Sequence, residues 1–333
     1  MAVYTRDLIW QKLSVDYGVT SATHTVDDVL EVWQEVNGLT DGQDLGAFYT
    51  TQTGISNQGD AEYKYWNDYT VGTFTPASIT TQGWWDASDS STITLTTGKV
   101  SQWNDKSGNA RHATQATAGN RPIVATAQQN GKDALRFYAD STADWLAAGT
   151  TSTWKFLHDG TAKNLVMIAW EPFETDSGNV SSVAVCTTNV TSGSVGVDFR
   201  YTAQTGSDRH VFYMPNNSST SAGYPIVVTN ITSGDPYLTN PYVYSALFDA
   251  TATSSSRAFC YINNSNAAGN GATRTGVPST ANSTLPLYIG CSISSQSPCR
   301  GYIYEVIIVS GAAATEANRL RLQGYLNQKW AIY

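Results

Sequence analysis

The spacing of the apolar residues changes near residue 74 of this 333-residue chain. Before that point, apolar side chains recur at the spacing of one helix face. The clearest segment begins with a capping pattern at Thr25 and Asp28 and ends at Asn37-Gly38. The pattern predicts a helical module over residues 1–74, which we interpret as an anchoring or oligomerisation module; the alternative is a small bundle packed against the rest of the chain. Its predicted anchoring helix carries an apolar stripe of Val26, Val29, Leu30 and Trp33.

From residue 75 onward, apolar and polar positions alternate with the period of a β-strand. Residues 194–202, SVGVDFRYT, show the alternation clearly, and clusters of Gly, Asn, Ser and Pro separate it from further short β-rich runs. The chain closes with a helical pattern whose apolar face consists of Leu322, Tyr325, Leu326 and Trp330. The sequence therefore predicts a mainly β fold over residues 75–333: a sandwich of two antiparallel sheets, with an amphipathic C-terminal helix covering a sheet edge or end.

Composition narrows the possible settings of this fold. Charged residues make up 14% of the chain and the net charge is −8, which argues against nucleic-acid binding through a basic surface. No apolar run is long enough to insert in a membrane, and the N-terminus lacks the pattern of a signal peptide, so synthesis in a cytosol is expected. The cysteines lack metal-binding spacing and are expected to be reduced, although Cys291 and Cys299 flank a loop and could bridge it.

The segment Gly83–Gln115, GWWDASDSSTITLTTGKVSQWNDKSGNARHATQ, combines three tryptophans with many turn residues. Neighbouring residues of a strand point to opposite faces, so Trp84 and Trp85 are expected to separate, one into the core and one outward or under a loop. Aspartates such as Asp86 and Asp89 are expected to bond nearby backbone amides. We interpret the segment as a folding signature, because buried aromatic residues dominate core energetics. The predicted core consists of Trp85, Trp103, Phe137, Trp145 and Trp330.

This segment, together with residues 120–124, residues 130–148 and the C-terminal GYIYEVIIVSGAAATEANRLRLQGYLNQKW, resembles the laminin-G-like, concanavalin A-type lectin/glucanase domains. Such domains are common in bacteriophage virion proteins and bacterial surface proteins. The resemblance implies a jelly-roll sandwich. DAEYKYW, within residues 60–66, is similar to helical modules of phage tail and virion proteins. The implied protein is a virion component, made in the host cytoplasm, whose N-terminal module contacts other virion proteins.

Glucanases of this superfamily carry alternating carboxylates on one strand face, where the carboxylates act as nucleophile and acid. The nearest match is WEPFETD, with Glu171, Glu174 and Asp176. The offset between the two glutamates places them on opposite faces, and Pro172 interrupts strand pairing. The sequence therefore predicts a non-enzymatic protein without a cofactor. A rim Ca²⁺ at Asp105–Asn109, Asp140–Asp144 or Asp198 is possible but less favoured than solvated turns.

Glycan binding is the remaining chemistry, because exposed aromatic rings can stack on sugars while Asn and Gln bond hydroxyl groups. The candidate residues are tyrosines beside Asn, Pro and Gly in predicted loops: Tyr213, Tyr224, Tyr237 and Tyr242. The alternative is that these tyrosines form contacts between subunits, and we expect a homo-oligomer. The favoured hypothesis is a tail fibre or receptor-binding protein that recognises host glycan. The alternatives are a capsid decoration or head-fibre protein and, less favoured, a surface glycoside hydrolase.

Overall fold

In the computed structural model, two antiparallel sheets and one α-helix dominate the part of the chain that is described. The predicted mainly β sandwich of two antiparallel sheets is confirmed. The N-terminal module, including Val26, Val29, Leu30 and Trp33, lies outside the described residues. The described residues are 74–137, 143–172, 180–188, 193–203, 208–215, 226–231, 240–249, 251–252, 258–263, 265–266, 278–291 and 298–332.

The first sheet has eight strands, which run in the order β15-β14-β13-β8-β17-β6-β5, with β1 also paired to β17. All of these pairings are antiparallel. The strands are β1 Thr81–Asp86, β5 Ile123–Gln129, β6 Lys132–Phe137, β8 Lys163–Pro172, β13 Tyr242–Asp249, β14 Ala258–Ile262, β15 Ser265–Asn266 and β17 Gly301–Ser310.

The second sheet has nine strands in the order β12-β11-β10-β9-β16-β7-β4-β3-β2, again with antiparallel pairings. Its strands are β2 Ile93–Thr96, β3 Lys99–Trp103, β4 Ala113–Thr114, β7 Leu146–Ala148, β9 Val180–Cys186, β10 Asp198–Ala203, β11 Asp208–Tyr213, β12 Ile226–Ile231 and β16 Leu287–Ile289. Short 3-10 turns cover Pro76–Ser78, Ser90–Thr92, Ala118–Asn120, Lys155–Leu157 and Gly311–Ala313.

The main hydrophobic core lies between the two sheets and takes residues from strands of both. Trp85, Trp103 and Phe137 are fully buried in it. Trp84, the neighbour of Trp85 on β1, points the other way and is only 7% exposed. One tryptophan of the pair therefore packs between the sheets, and the other packs in a second core outside the eight-stranded sheet.

That second core lies beneath helix α1, Glu316–Trp330. Leu322, Leu326 and Trp330 are fully buried against the outer face of the eight-stranded sheet. The predicted C-terminal helix is confirmed, but its predicted position at a sheet edge or end is wrong. The central strands β8 and β17 carry apolar residues on both faces, so their outward side chains also need a cover.

Hydrogen bonds fix both ends of the helix. The Thr315 side chain accepts a bond from the Asn318 N–H at 3.2 Å, which caps the N-terminus. At the other end, the turn between β5 and β6 reaches the last carbonyls. Asn130 Nδ2 donates to the Lys329 carbonyl and Gln129 Nε2 donates to the Ala331 carbonyl, both at 3.0 Å. The eight-stranded sheet thus holds the helix through backbone groups as well as through apolar packing.

The four cysteines, Cys186, Cys260, Cys291 and Cys299, are all buried thiols, and no disulfide joins Cys291 to Cys299. Burial raises the pKa of Cys260 and makes that thiol a poor nucleophile. Within the described residues, no helix combines the length and apolar character needed to cross a bilayer.

Candidate functional site

The four tyrosines predicted to bind sugar do not form one described site. Tyr242 is the first residue of β13 and is fully buried, so its predicted place in an exposed loop is wrong. Its ring packs 5.9 Å from Trp170, and its hydroxyl lies 3.3 Å from Nδ1 of His210. The alternation that brings Tyr244 and Ala246 into the core includes Tyr242 as well. Tyr224 and Tyr237 lie outside the described residues.

Tyr213 ends β11 on the outer face of the nine-stranded sheet, where it is half-buried. The Arg200 guanidinium lies over its ring, 5.2 Å from the centroid. Arg200 also donates from Nε to Asp198 Oδ1 at 2.6 Å and from Nη2 to Asp198 Oδ2. Burial raises the pKa of Asp198, and the adjacent Arg200 opposes that rise. At this end of the sheet face, Asp198 and Arg200 thus neutralise each other.

A different surface on the same face has the features expected of a binding site. Strand register places one residue from each of five neighbouring strands in a line across the outer face. We call this line the transverse row: Thr94, Gln102, Thr114, Ala147 and Tyr288. Adjacent strands are spaced by about 4.8 Å, so four intervals make the row about 19 Å long. Thr94 and Thr114 are exposed, and the other three are half-buried.

The row faces outward because the residues beside it face inward. Trp103, Ala113 and Ala148 are fully buried in the core between the sheets, and each neighbours a row residue along its own strand. Successive side chains of a strand alternate between its faces, so Gln102, Thr114 and Ala147 point away from that core. The described helix covers the opposite sheet, and no described helix packs over this row.

Trp145 extends the row into an aromatic platform. Its ring stacks on Tyr288, with centroids 4.7 Å apart and planes inclined by 28°. The backbone holds it: the Trp145 N–H donates to the Asn120 carbonyl at 3.0 Å, and its carbonyl accepts from Gln115 Nε2 at 3.1 Å. Trp145 is half-buried and lies outside the core, so its assignment to the core is wrong. Burial raises the pKa of Tyr288, and the Cys186 and Cys291 thiols add to the rise.

The sequence gives only weak signals for this platform. Trp145 comes directly before a short strand, and its aromatic ring favours a place in the core beside Phe137. Tyr288 lies between the buried residues Leu287 and Ile289. The outward position of Tyr288 follows from alternation. The contact between the two rings depends on the pairing of β7 with β16, which no local pattern reveals.

The carboxylates considered for catalysis are placed differently. Glu171 lies near the end of β8, half-buried, and accepts a hydrogen bond from the Tyr304 hydroxyl. Burial raises the pKa of Glu171, and that hydrogen bond opposes the rise. Glu174 and Asp176 lie outside the described residues.

A carboxylate pair that the sequence did not suggest lies beneath the helix. Lys329 Nζ contacts Asp86 Oδ1 at 2.6 Å and Glu305 Oε2 at 2.7 Å, so one ammonium joins the two acids. Asp86 is 4% exposed and Glu305 is fully buried, which leaves no room for a sugar between them. The signal that we missed is a glutamate within the apolar run of β17.

The candidate calcium turn is closed by the protein's own amides. Asp105 accepts bonds from the backbone N–H groups of Trp84, Ser107 and Arg111 at 2.9 to 3.0 Å. Asp86 and Asp89 likewise bond the N–H groups of Ser88 and Ser91, as the sequence predicted. Among the described residues, no three His, Cys, Asp or Glu side chains converge to hold a metal ion. These aspartates shape the turns.

No protein-family model and no curated protein matches the sequence. Similar solved structures include a mutant Trypanosoma rangeli sialidase with trans-sialidase activity, at 10% identity and a TM-score of 0.45 over 82% of this chain and 39% of that one. The botulinum neurotoxin serotype D binding domain is similar at 10% identity, with a TM-score of 0.45 over 74% of this chain and 52% of that one. Tailspike protein 2 of Escherichia coli O157:H7 bacteriophage CAB120 is similar at 13% identity, with a TM-score of 0.39 over 64% of this chain and 27% of that one.

The chain thus spans between about a quarter and a half of the length of these proteins. Similarity at this level identifies no family and carries no argument about what the chain does.

Proposed function

We propose that this chain is a non-enzymatic glycan-binding protein that uses the transverse row and the Trp145–Tyr288 platform as its binding surface. The observation that carries the proposal is the stacking of two half-buried rings at 4.7 Å, at the end of a row whose other residues are Thr94, Gln102, Thr114 and Ala147. A stacked pair is held in place before a ligand arrives, which lowers the entropy lost on binding. Thr94, Gln102 and Thr114 supply hydrogen-bonding groups to an aligned sugar chain.

The positions of the carboxylates support binding without cleavage. Glycoside hydrolysis needs two carboxyl groups on either side of one accessible bond. Asp86 and Glu305 are buried beneath α1 and share Lys329, while Glu171 lies on the eight-stranded sheet, on the opposite side of the sandwich from the row. None of the row residues carries a carboxylate.

The setting that we propose is a bacteriophage virion, in which a lectin-like jelly roll recognises glycan on the host surface. This part of the proposal is supported by the resemblance of residues 83–333 to laminin-G-like domains. In this account the module of residues 1–74 joins the protein to other virion proteins, and several copies act together, because single sugar sites bind weakly. A capsid decoration protein is the alternative, and it needs no glycan site.

Affinity electrophoresis through gels containing host surface polysaccharide tests the proposal. We expect the polysaccharide to retard the wild-type chain and to release no new reducing ends. Tyr288→Ala should remove the retardation, because it deletes the partner ring of Trp145. Tyr302→Ala is the matched control, since Tyr302 is another half-buried tyrosine but lies on the eight-stranded sheet.

Wild-type migration unaffected by polysaccharide, or equal loss in both variants, would contradict the assigned surface. Release of oligosaccharides by the wild type would contradict the non-enzymatic part of the proposal.

A further inference from the structure

We infer that the ligand is an uncharged polysaccharide, bound along its length across the strands from Tyr288 to Thr94. The inference rests on the proposed glycan-binding function and specifies its substrate class. It follows from three properties of the transverse row: the absence of charge among its five residues, its length, and its open end at β2.

The five residues of the row carry hydroxyl, amide, methyl and phenol groups and no ionised side chain. Recognition of a carboxylate or phosphate on a sugar normally uses Arg or Lys, whose charge-assisted bonds are the strong ones. The next positions on the same line are Cys186 and Asp198. The Asp198 carboxylate accepts hydrogen bonds from two nitrogens of the Arg200 guanidinium, so the charge of that cation is already paired within the protein.

The charge of the whole chain points in the same direction. A net charge of −8 creates a field that opposes the approach of polyanions. A polyanionic glycan would need a local basic surface to overcome this repulsion, and the row offers none. An uncharged glycan loses nothing from the field and can be bound by stacking and neutral hydrogen bonds.

The length of the row favours a chain of several sugars over a single one. Tyr288 and Thr94 mark its ends, about 19 Å apart by strand spacing. Between them, Ala147 presents only a methyl group next to the platform. Gln102 Nε2 donates a hydrogen bond of 2.7 Å to Asn104 Oδ1, and this bond fixes the orientation of the Gln102 amide group. A ligand that covers only the platform would leave Thr94, Gln102 and Thr114 unused.

The row is open at β2, the last strand of the sheet. Thr94, Leu95 and Thr96 are all exposed, and Leu95 is 52% exposed. No described element forms a wall beyond this strand. A sugar chain can therefore continue past the end of the row, and the site accepts internal segments of a polysaccharide as well as chain ends.

Calorimetric titration of the full chain tests the inference. The probes are neutral and acidic fractions of host surface polysaccharide, separated by anion exchange, partially hydrolysed and sorted by size. We expect the neutral fraction to bind with an affinity that rises with fragment length until the row is filled. The affinity should depend little on salt, because salt screens interactions between charges and an uncharged ligand makes none.

Variants locate the effect. Thr94→Ala and Thr114→Ala should each lower the affinity for long fragments by about threefold to tenfold, the range of one neutral hydrogen bond. The affinity for the shortest fragments should stay unchanged. Thr126→Ala is the matched control, because Thr126 is also an exposed strand threonine but lies on β5 of the other sheet. It should bind like the wild type.

Each outcome separates the two proposals. Binding of the acidic fraction alone, weakened by salt, overturns the uncharged-ligand inference and leaves glycan binding intact. The extended site is overturned if the affinity for neutral fragments does not depend on their length, or if Thr94→Ala and Thr114→Ala leave that affinity unchanged. Binding of neither fraction overturns the proposed function itself.

Discussion

Glu305 on β17 accepts a hydrogen bond of 2.7 Å from the indole N–H of Trp84 on β1, a residue 221 positions earlier in the chain. The same buried carboxylate accepts bonds from Tyr325, Lys329 and Trp330 of helix α1 at 2.7 to 2.9 Å. A buried charge is tolerable only when it is paired and hydrogen-bonded, and here four donors meet that requirement. Glu305 therefore joins the first strand, the central strand and the helix.

Replacement of this carboxylate should destabilise the fold. Glu305→Leu leaves the Trp84 and Trp330 indoles without their acceptor and removes one partner of Lys329. We expect a loss of about 3 kcal/mol or more in the free energy of unfolding, the usual cost of breaking a buried ion pair. Urea denaturation followed by tryptophan fluorescence measures it. Asp89→Ala, at a more exposed carboxylate that contacts Lys106 at 2.8 Å, should cost much less. Equal stability of Glu305→Leu and the wild type would show that the network contributes nothing.

Trp103 and Trp145 should respond differently to the same substitution. Trp103 is fully buried between the sheets, so Trp103→Ala should cost about 3–5 kcal/mol of stability. Trp145 is half-buried and lies outside that core, so Trp145→Ala should cost less stability than Trp103→Ala, while it abolishes glycan retention. Denaturation and affinity electrophoresis on both variants make the comparison. A stable Trp103→Ala that has lost binding would reverse the two assignments.

His210 should make stability fall in acid. It is fully buried among Trp170, Tyr201, Tyr242 and Tyr244, and burial lowers its pKa to about 3. An unfolded histidine titrates near pH 6.5, so between about pH 6 and pH 3 only the unfolded chain takes up this proton. Stability is therefore present above that window and is lost as the pH falls, by at most about 1.4 kcal/mol per pH unit.

The variant His210→Phe isolates this contribution, because phenylalanine keeps a ring in the same aromatic core. Its free energy of unfolding should depend less steeply on pH than that of the wild type from about pH 6 to pH 3, by the slope that linkage assigns to one proton. Denaturant titrations at several pH values give both curves. Parallel curves would mean that His210 is protonated in the folded protein as readily as in the unfolded chain.

A chain of residues 75–333 tests the proposed division of labour. If residues 1–74 attach the protein to the particle, the shorter chain should fold and bind glycan but fail to enter virions during infection. Immunoblots of purified particles, together with affinity electrophoresis, give the two readouts. Full incorporation of the shorter chain would remove the anchoring role of the N-terminal module.

The sandwich was predictable because period-two alternation and turn clusters are local signals, and the helix because its stripe of Leu322, Leu326 and Trp330 is also local. The positions of individual aromatic side chains, in the core or at the surface, could not be predicted in this way. Tyr242 stands beside Asn240 and Pro241, which indicate a loop, yet strand pairing extends over it and buries it. Trp145 and Tyr288 become a platform only through the register of two distant strands, and register depends on tertiary pairing.

The central claim is that glycan covers the Trp145–Tyr288 platform, and oxidation of Trp145 tests it directly. Of the described tryptophans, Trp145 alone is half-buried, whereas the others are at most 7% exposed. Purified protein is treated with N-bromosuccinimide with and without host polysaccharide, and peptide mass spectrometry follows each tryptophan. Bound polysaccharide should slow the oxidation of Trp145 by blocking reagent access. An unchanged rate at Trp145 in a sample whose polysaccharide is demonstrably bound would contradict the account.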